Sequence, residues 1–212
     1  MTDYHTHILP GIDDGSKDLS MSLEMLGTLK QQGVTRVACT PHYYPMREDP
    51  VHFLKRRDVA FSSLCTAVSV ELPTLLLGAE FYYYEGISRL DCLDEFRIQG
   101  TDLLLIEMPF ERWSSRWINE LVSINEIKGF HVLLAHVNRY LKYTDWDMLN
   151  ELADESVAFQ INNEAFSGFI TRHNAFKLIS ISSEFYLGSD AHNMTSRRPN
   201  WETVPPRIRS QL

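Results

Sequence analysis

Short runs of apolar and β-branched residues alternate along the chain with longer segments of mixed polarity. The short runs predict seven strands, at residues 2–5, 35–40, 74–79, 103–107, 131–135, 158–161 and 185–188. Strands that alternate with helices are typical of a parallel sheet with crossover connections. The pattern alone leaves open whether this sheet is open and doubly wound or closed into a barrel.

Apolar residues recur at helical spacing in three of the segments between the predicted strands, and two of these series stop shortly before a glycine. The series are Leu19, Leu23, Leu26 and Leu29 before Gly33, then Trp117, Leu121 and Ile124 before Gly129, and a weaker one of Ala175, Leu178 and Ile179. We therefore predict a helix in each of these segments, within an α/β fold.

Metal-capable side chains follow six of the seven predicted strands at their carboxyl ends. In chain order they are His5 and His7, His42, Glu80, Glu107, His136, and Asp190 with His192. In a parallel barrel these ends share one face, and barrel active sites lie on that face. Taken singly, most of these residues are typical of helix caps or solvated loops. Because all of them lie at the carboxyl ends of predicted strands, together they indicate a single site.

The residue types in this set suit divalent metal ions. His5 and His7 point to the same side of a strand because the side-chain period is two, and Asp190 and His192 have the same spacing. Imidazole and carboxylate groups bind ions such as zinc, manganese and iron. The set holds more ligands than one ion needs, so we expect more than one ion. Two ions about 3.5–4 Å apart can activate water and clamp a phosphate.

Two arginines lie close in sequence to candidate ligands. Arg139 follows His136 by three residues, and Arg197 follows His192 by five. The planar donor fork of a guanidinium suits phosphate oxygens, so both are candidate phosphate ligands. Arg198 directly follows Arg197, and the sequence leaves the choice between them open.

Composition narrows the classes of function. The length of 212 residues suits one domain covering residues 1–212, and the formal net charge of −8 argues against nucleic-acid binding. No apolar stretch approaches the roughly 20 residues that span a membrane, and the N-terminus has no region typical of a secretory signal. Three separated cysteines argue against a disulfide framework. We therefore expect a cytoplasmic protein without membrane insertion.

A cysteine-dependent phosphatase mechanism needs an arginine six residues after the cysteine, in a loop that cradles phosphate. At that distance Cys39, Cys65 and Cys92 are followed by Pro45, Glu71 and Ile98. All three positions fail. The sequence therefore favours direct attack by a metal-activated water, without a phosphoenzyme.

Six motifs, in chain order, resemble those of a known family. They are His5-Thr6-His7-Ile8-Leu9-Pro10-Gly11-Ile12-Asp13-Asp14-Gly15, Thr40-Pro41-His42, Gly78-Ala79-Glu80, Ile106-Glu107-Met108-Pro109-Phe110, His136 with Arg139-Tyr140, and Ser189-Asp190-Ala191-His192-Asn193. The set resembles the PHP-type (polymerase and histidinol phosphatase) bacterial protein-tyrosine phosphatases. These are manganese-dependent enzymes linked to capsular and extracellular polysaccharide synthesis.

The resemblance implies a PHP fold, a distorted (β/α)7 barrel holding three divalent ions, with manganese favoured over iron, zinc or cobalt. By motif position the first ion takes His5, His7, Glu80 and Asp190, the second takes Glu80, Glu107 and His136, and the third takes Asp14, His42 and His192. Asp13, adjacent to Asp14, is the alternative ligand. Arg139, Arg197 and His136 are the implied catalytic residues. The implied substrate is phosphotyrosine on the tyrosine kinase that drives polysaccharide assembly.

Three departures from the family pattern accompany this resemblance. Val137-Asn138 stands where the family usually has Pro-Glu, and residues 162–166 differ from the expected small-residue run. Family members generally continue into a C-terminal helix, whereas residues 200–212 are expected to form an extended tail.

Two other functions stay open. One is a small-molecule phosphatase such as a histidinol-phosphate phosphatase, and the other is a regulator that binds phosphotyrosine with little turnover.

Overall fold

The computed structural model describes residues 1–127 and 129–210. The strands are β1 Thr2–Thr6, β2 Arg36–Cys39, β3 His42–Tyr43, β4 Thr74–Leu77, β5 Glu80–Tyr82, β6 Leu103–Glu107, β7 His131–Leu134, β8 Ala158–Asn162 and β9 Phe185–Gly188. The α-helices are α1 Leu19–Gln31, α2 Pro50–Ala67, α3 Ser115–Asn125, α4 Trp146–Asp154, α5 Phe169–Ile181 and α6 Pro206–Arg209. Every predicted strand overlaps an observed one, and the three predicted helices correspond to α1, α3 and α5.

All strand pairs are parallel, in a three-stranded sheet of order β1-β2-β4 and a six-stranded sheet of order β3-β5-β6-β7-β8-β9. The predicted strands at 35–40 and 74–79 correspond to β2 and β4. The short strand β3 begins after Pro41, which lacks the N–H that a ladder requires, and β5 begins after Gly78 and Ala79. The strands within each sheet thus run in the same direction. β2 and β4 belong to the smaller sheet, and β3 and β5, which come directly after them in the chain, belong to the larger one.

The sheet curls so that its first strand approaches its last. The backbone N–H of Asp190 donates to the carbonyl of His5 with an N···O distance of 2.8 Å. The backbone N–H of His7 donates to the carbonyl of Ala191 at 2.9 Å. Gly188 permits this approach, because a Cβ there would lie 2.6 Å from the Cβ of His5. The result is an α/β fold with a curled parallel sheet, whose strand ends at the start and finish of the chain lie side by side.

The ends of several helices are set by capping aspartates and by glycines. Asp18, Asp49 and Asp145 precede α1, α2 and α4, and the carboxylate of each accepts a backbone N–H from the first turn. Gly33 and Gly129, the predicted helix stops, have φ values of 89° and 93°, which suit glycine. Helix α4 was not predicted. None of the helices in the described part of the chain is long and apolar enough to span a membrane.

The C-terminal segment corrects one prediction. Residues 200–212 were expected to be extended, but Trp201–Thr203 form a 3-10 turn and α6 begins at Pro206, while residues 211 and 212 lie outside the described residues. Trp201 and Val204 are fully buried, so their apolar side chains fix the turn against the core. Pro206 stands in the first turn of α6, where a proline favours a helix start rather than an extended chain.

Candidate metal centre

Two imidazoles at the end of the first strand and a carboxylate just after the last strand meet at the carboxyl-terminal edge of the sheet. His5 and His7 are fully buried, and their Nε2 atoms lie 3.1 Å apart. Oδ1 of Asp190 lies 3.6 Å from Nε2 of His5 and 3.4 Å from Nε2 of His7. These three residues form one group of donor atoms that could hold a metal ion.

Glu80, the first residue of β5, lies among four imidazoles. Its Oε2 is 3.2 Å from Nε2 of both His5 and His7 and 2.8 Å from Nδ1 of His42. Its Oε1 is 3.0 Å from Nε2 of His136. The two oxygens therefore face different imidazoles, which is the arrangement expected of a carboxylate that bridges two ions.

Glu107, at the end of β6, extends the cluster away from β1. Its Oε1 lies 3.4 Å from Nε2 of His136, and its Oε2 lies 3.7 Å from Nδ1 of His42. His42, Glu80 and Glu107 form a second group with metal-ligand spacing. The resemblance assigns Glu80, Glu107 and His136 to the second ion. His136 does contact both carboxylates, and His42 lies beside the same two carboxylates as a further donor.

A third group contains His7, Asp14, His42 and His192. Oδ1 of Asp14 lies 3.6 Å from Nε2 of His42 and 3.5 Å from Nε2 of His192. His7 and His192 stack with ring centroids 3.8 Å apart, so this group adjoins the first. The structure therefore brings all nine predicted ligand residues into one continuous cluster.

The two adjacent aspartates have different surroundings. The Asp14 side chain is 67% exposed and faces the cluster, whereas that of Asp13 is 5% exposed. Oδ2 of Asp13 accepts from Nδ1 of His7 at 2.7 Å and from the backbone N–H of His42 at 3.0 Å. A carboxylate in this position fixes the tautomer of a histidine and leaves Nε2 free for a metal. Asp14 therefore has the placement of a ligand, and Asp13 that of an orienting residue.

The donor atoms fit a divalent cation. Among residues 1–127 and 129–210, several buried donor and acceptor atoms of the cluster have no hydrogen-bond partner: Nδ1 of His42, both carboxylate oxygens of Glu80, Oε2 of Glu107 and Nε2 of His192. Unpartnered polar atoms are costly in a protein interior. A bound cation would satisfy all of them, and the nitrogen and oxygen donors match zinc, manganese or iron.

Electrostatics in the cluster favour ionised carboxylates. Burial would raise the pKa values of Glu80 and Asp190, but the neighbouring His5 helps to hold both well below their usual range. Burial lowers the pKa of His136, but the adjacent carboxylates of Glu107 and Glu80 outweigh it and raise that pKa to about 9. The carboxylates thus attract positive charge, and a metal ion would replace the proton on the imidazole.

Both candidate phosphate ligands lie at the edge of the cluster. Nη1 of Arg139 is 2.9 Å from Oδ2 of Asp190, and Nη2 of Arg197 donates to both oxygens of Asp190 at 2.9 and 2.8 Å. Both arginines, and also Arg198, line one cavity of about 260 Å³, but in the described residues only Arg139 and Arg197 pair with Asp190. Arg198 instead pairs with Glu202 at 3.0 Å. The structure therefore places Arg197, and not Arg198, beside the metal cluster.

Strand β8 contributes two residues that the sequence reasoning missed. Oε1 of Gln160 lies 2.9 Å from Nδ1 of His5 and accepts the backbone N–H of His136 at 2.6 Å. Nδ2 of Asn162 donates to Oδ2 of Asp190 at 3.0 Å. The signal was available, since two polar residues at spacing two interrupt an otherwise apolar, fully buried strand.

Backbone strain is concentrated at two of the ligands. His136 and Asp190 have φ values of 30° and 51°, and the described chain has only one other non-glycine residue with positive φ, Ser156. Such conformations cost about 1–3 kcal/mol and persist where the surrounding structure imposes them. Here they turn the ligand side chains inward just after β7 and β9.

Comparison with known proteins agrees with this geometry. The family model for capsular polysaccharide synthesis, CpsB/CapC, matches residues 1–211. The tyrosine-protein phosphatase YwqE of Bacillus subtilis is 27% identical over 205 residues, covering 93% of this chain and 79% of its own. The tyrosine-protein phosphatase CpsB of Streptococcus pneumoniae is 26% identical over 210 residues, covering 94% and 86%.

Two solved structures share the fold. A chain from the crystal structures of YwqE and CpsB, described as unique metal-dependent tyrosine phosphatases, has a TM-score of 0.81 at 23% identity, covering 100% of this chain and 87% of its own. The histidinol phosphate phosphatase of Lactococcus lactis, solved with zinc, L-histidinol and phosphate, has a TM-score of 0.65 at 13% identity, covering 99% and 91%. The match over nearly the whole chain identifies this protein as a member of the CpsB/CapC family of capsular polysaccharide synthesis.

Proposed function

We propose that this protein is a metal-dependent protein-tyrosine phosphatase that acts in capsular or extracellular polysaccharide synthesis. One observation carries the proposal: nine His, Asp and Glu side chains converge with two arginines near the carboxyl ends of the strands. Membership of the CpsB/CapC family, whose relatives include tyrosine-protein phosphatases, supports the choice of substrate.

The fold and metal content are part of the proposal. We take the curled sheet to be a distorted (β/α)7 barrel, in which β2 with β3 and β4 with β5 each count as one strand. The cluster would hold three divalent ions, with Glu80 between the first two. Manganese is the proposed ion, and iron, zinc and cobalt are the alternatives that the same donors accept.

Divalent ions bound here would supply Lewis acidity toward water and toward the phosphoryl oxygens. Arg139 and Arg197 would hold the phosphate and stabilise charge on its oxygens in the transition state. A phenolate leaving group, with a pKa of about 10, needs little help from a general acid. A thiolate nucleophile is disfavoured, because burial raises the pKa of Cys39.

The proposed substrate is a tyrosine-phosphorylated protein, in particular the cytoplasmic tyrosine kinase of polysaccharide synthesis. A family role in capsule synthesis supports this partner, since the relatives are tyrosine-protein phosphatases. The protein itself would be cytoplasmic, as expected for an enzyme that meets such a kinase.

A second candidate is hydrolysis of a small phosphomonoester. The fold shared with a histidinol phosphate phosphatase favours it. The metal cluster alone does not separate the two substrates, because both present the same phosphate group.

Steady-state hydrolysis of a phosphotyrosyl peptide and of histidinol phosphate by the manganese-loaded protein tests the proposal. We expect the larger kcat/KM with the peptide and none with the His136→Ala protein, which is the control for contaminating phosphatases. A larger kcat/KM for histidinol phosphate would favour the second candidate. Peptide binding without turnover would instead indicate a regulator.

A further inference from the structure

A groove runs along α2 on the side that faces the loop between β1 and α1. It has a volume of about 620 Å³, and its lining includes Ile12, Leu19, Lys55, Arg56 and Val59. We call this the α2 groove. None of its residues belongs to the metal cluster or to the arginine pair.

The α2 groove adjoins the metal centre. A second cavity of about 360 Å³ is lined by Asp14 and His42 of the cluster and also by Ile12 and Arg56 of the groove. A chain that leaves the cluster past His42 would therefore reach the α2 groove by passing over Ile12 and Arg56.

The junction between the two cavities is braced by hydrogen bonds. Nη2 and Nε of Arg56 donate to Glu48 at 2.7 and 3.2 Å, and Nη1 donates to the carbonyl of Ile12 at 3.5 Å. These bonds connect α2 to the loop that carries Asp14. The groove is thus held in a fixed position relative to a candidate metal ligand.

Exposed cations lie at both cavities, beside apolar surface. Lys55 lines the α2 groove and Arg47 lines the second cavity, and neither forms an ion pair with any residue in the described ranges. The guanidinium of Arg47 lies over the ring of Tyr44, 4.3 Å from its centroid, at the mouth of the metal centre. Val59 is 65% exposed in the groove.

We propose that the α2 groove binds the polypeptide on one side of the phosphotyrosine and selects acidic side chains there. The inference rests on the proposed function. With the phosphate at the metal centre, the flanking chain would follow the two cavities, with apolar groups on Val59 and carboxylates near Arg47 and Lys55. The occupant is a neighbouring segment of the substrate protein, because the groove shares Ile12 and Arg56 with the cavity beside the proposed phosphate site.

Two charge variants of opposite sign test this inference on the manganese-loaded full chain. Lys55→Glu removes a groove cation, and Val59→Lys adds one. The substrates are phosphotyrosyl peptides with glutamate, alanine or lysine at the flanking positions, on the N-terminal or the C-terminal side. Each rate is divided by that for p-nitrophenyl phosphate, which has no flanking chain and reports folding and metal loading. Lys177→Glu, on α5, makes the same charge change outside the groove.

For the wild type we expect the normalised kcat/KM to be higher for peptides with glutamate on one side than for those with lysine. Lys55→Glu should lower this preference and Val59→Lys should raise it, each by about threefold to tenfold, through KM. Added salt should weaken it, because exposed charges are screened. Lys177→Glu should leave it unchanged.

Equal rates for all flanking sequences, with normal hydrolysis of phosphotyrosine, would overturn the groove assignment and leave the proposed function intact. A charge preference that neither groove variant alters would also overturn it. A change in sedimentation with Val59→Lys, without peptide selectivity, would mean that a second copy of the chain covers the groove. If the wild type hydrolyses no phosphotyrosyl peptide, the proposed function itself fails. Fluorescence anisotropy with the same labelled peptides would then decide whether the groove selects charge in binding.

Discussion

Oδ2 of Asp13 lies 2.7 Å from Nδ1 of His7. The contact places a nearly buried carboxylate behind one candidate ligand, while the neighbouring Asp14 reaches the cluster itself. Coulombic attraction between the two groups holds the pKa of Asp13 below its usual range despite burial, and raises that of His7. Carboxylates in this position orient metal-bound histidines and make them better ligands.

Removal of this support should weaken metal binding. For Asp13→Ala we expect metal affinity to fall by about 10- to 100-fold, because His7 loses the partner that fixes its tautomer. Titration of manganese against a chromogenic chelator measures this. Asp18→Ala is the control, since it removes a carboxylate from the same loop but only uncaps α1. Unchanged affinity in Asp13→Ala would contradict the role assigned to Asp13.

Gln160 should couple the positions of two ligands. The change Gln160→Met keeps the side-chain volume but leaves the buried N–H of His136 without an acceptor, which costs about 1–3 kcal/mol. We expect a lower melting temperature and a lower kcat, since His5 and His136 both lose their shared partner. Gln99→Met, at an exposed site, is the matched control. The assignment fails if the two variants behave alike.

Trp201 should anchor the C-terminal segment to β1. Its Nε1 donates to Oδ2 of the fully buried Asp3 at 2.8 Å. Trp201→Phe removes this donor and part of the ring, and the unpaired Oδ2 of Asp3 alone should cost about 1–3 kcal/mol of unfolding free energy in urea denaturation. Trp201→Ala should cost about 3–5 kcal/mol. Trp117→Phe, whose indole contacts the more exposed Glu85, should have a smaller effect. Equal losses for both Phe variants would argue against the anchor.

Aromatic rings on two sides of the cluster should favour aryl phosphates. Phe110 stacks on His136 at 5.6 Å, and Tyr44 stacks on His42 at 5.0 Å. For Phe110→Leu we expect the ratio of kcat/KM for p-nitrophenyl phosphate to that for glycerol phosphate to fall roughly two- to tenfold, since an aromatic contact contributes about 0.5–1.5 kcal/mol. Phe130→Leu, before the opposite end of β7, should not change this ratio. No change in Phe110→Leu would exclude the ring from substrate recognition.

Most of the metal cluster could be predicted from sequence because most of the ligands lie at or just beyond the carboxyl end of an apolar run. The strand direction fixes which ends meet, so His42, Glu107 and His136 could be placed together without knowing any distance. The partners of the ligands were harder to predict. Gln160 lies within β8, and its role depends on which strands flank it in space.

The C-terminal prediction was wrong for a different reason. A helix of four residues, Pro206–Arg209, has little intrinsic stability, so its formation depends on contacts outside the segment. Burial of Trp201 and its hydrogen bond to Asp3 supply such contacts. These contacts join residues 198 positions apart, which local patterns do not reveal.

Removal and return of the metal tests the central claim most directly. The protein would be stripped with a chelator and titrated with manganese, while bound metal and hydrolysis of a phosphotyrosyl peptide are measured on the same samples. We predict that hydrolysis is lost on stripping and returns as the protein binds manganese, with none in His136→Ala. Full hydrolysis by the metal-free protein would contradict the account.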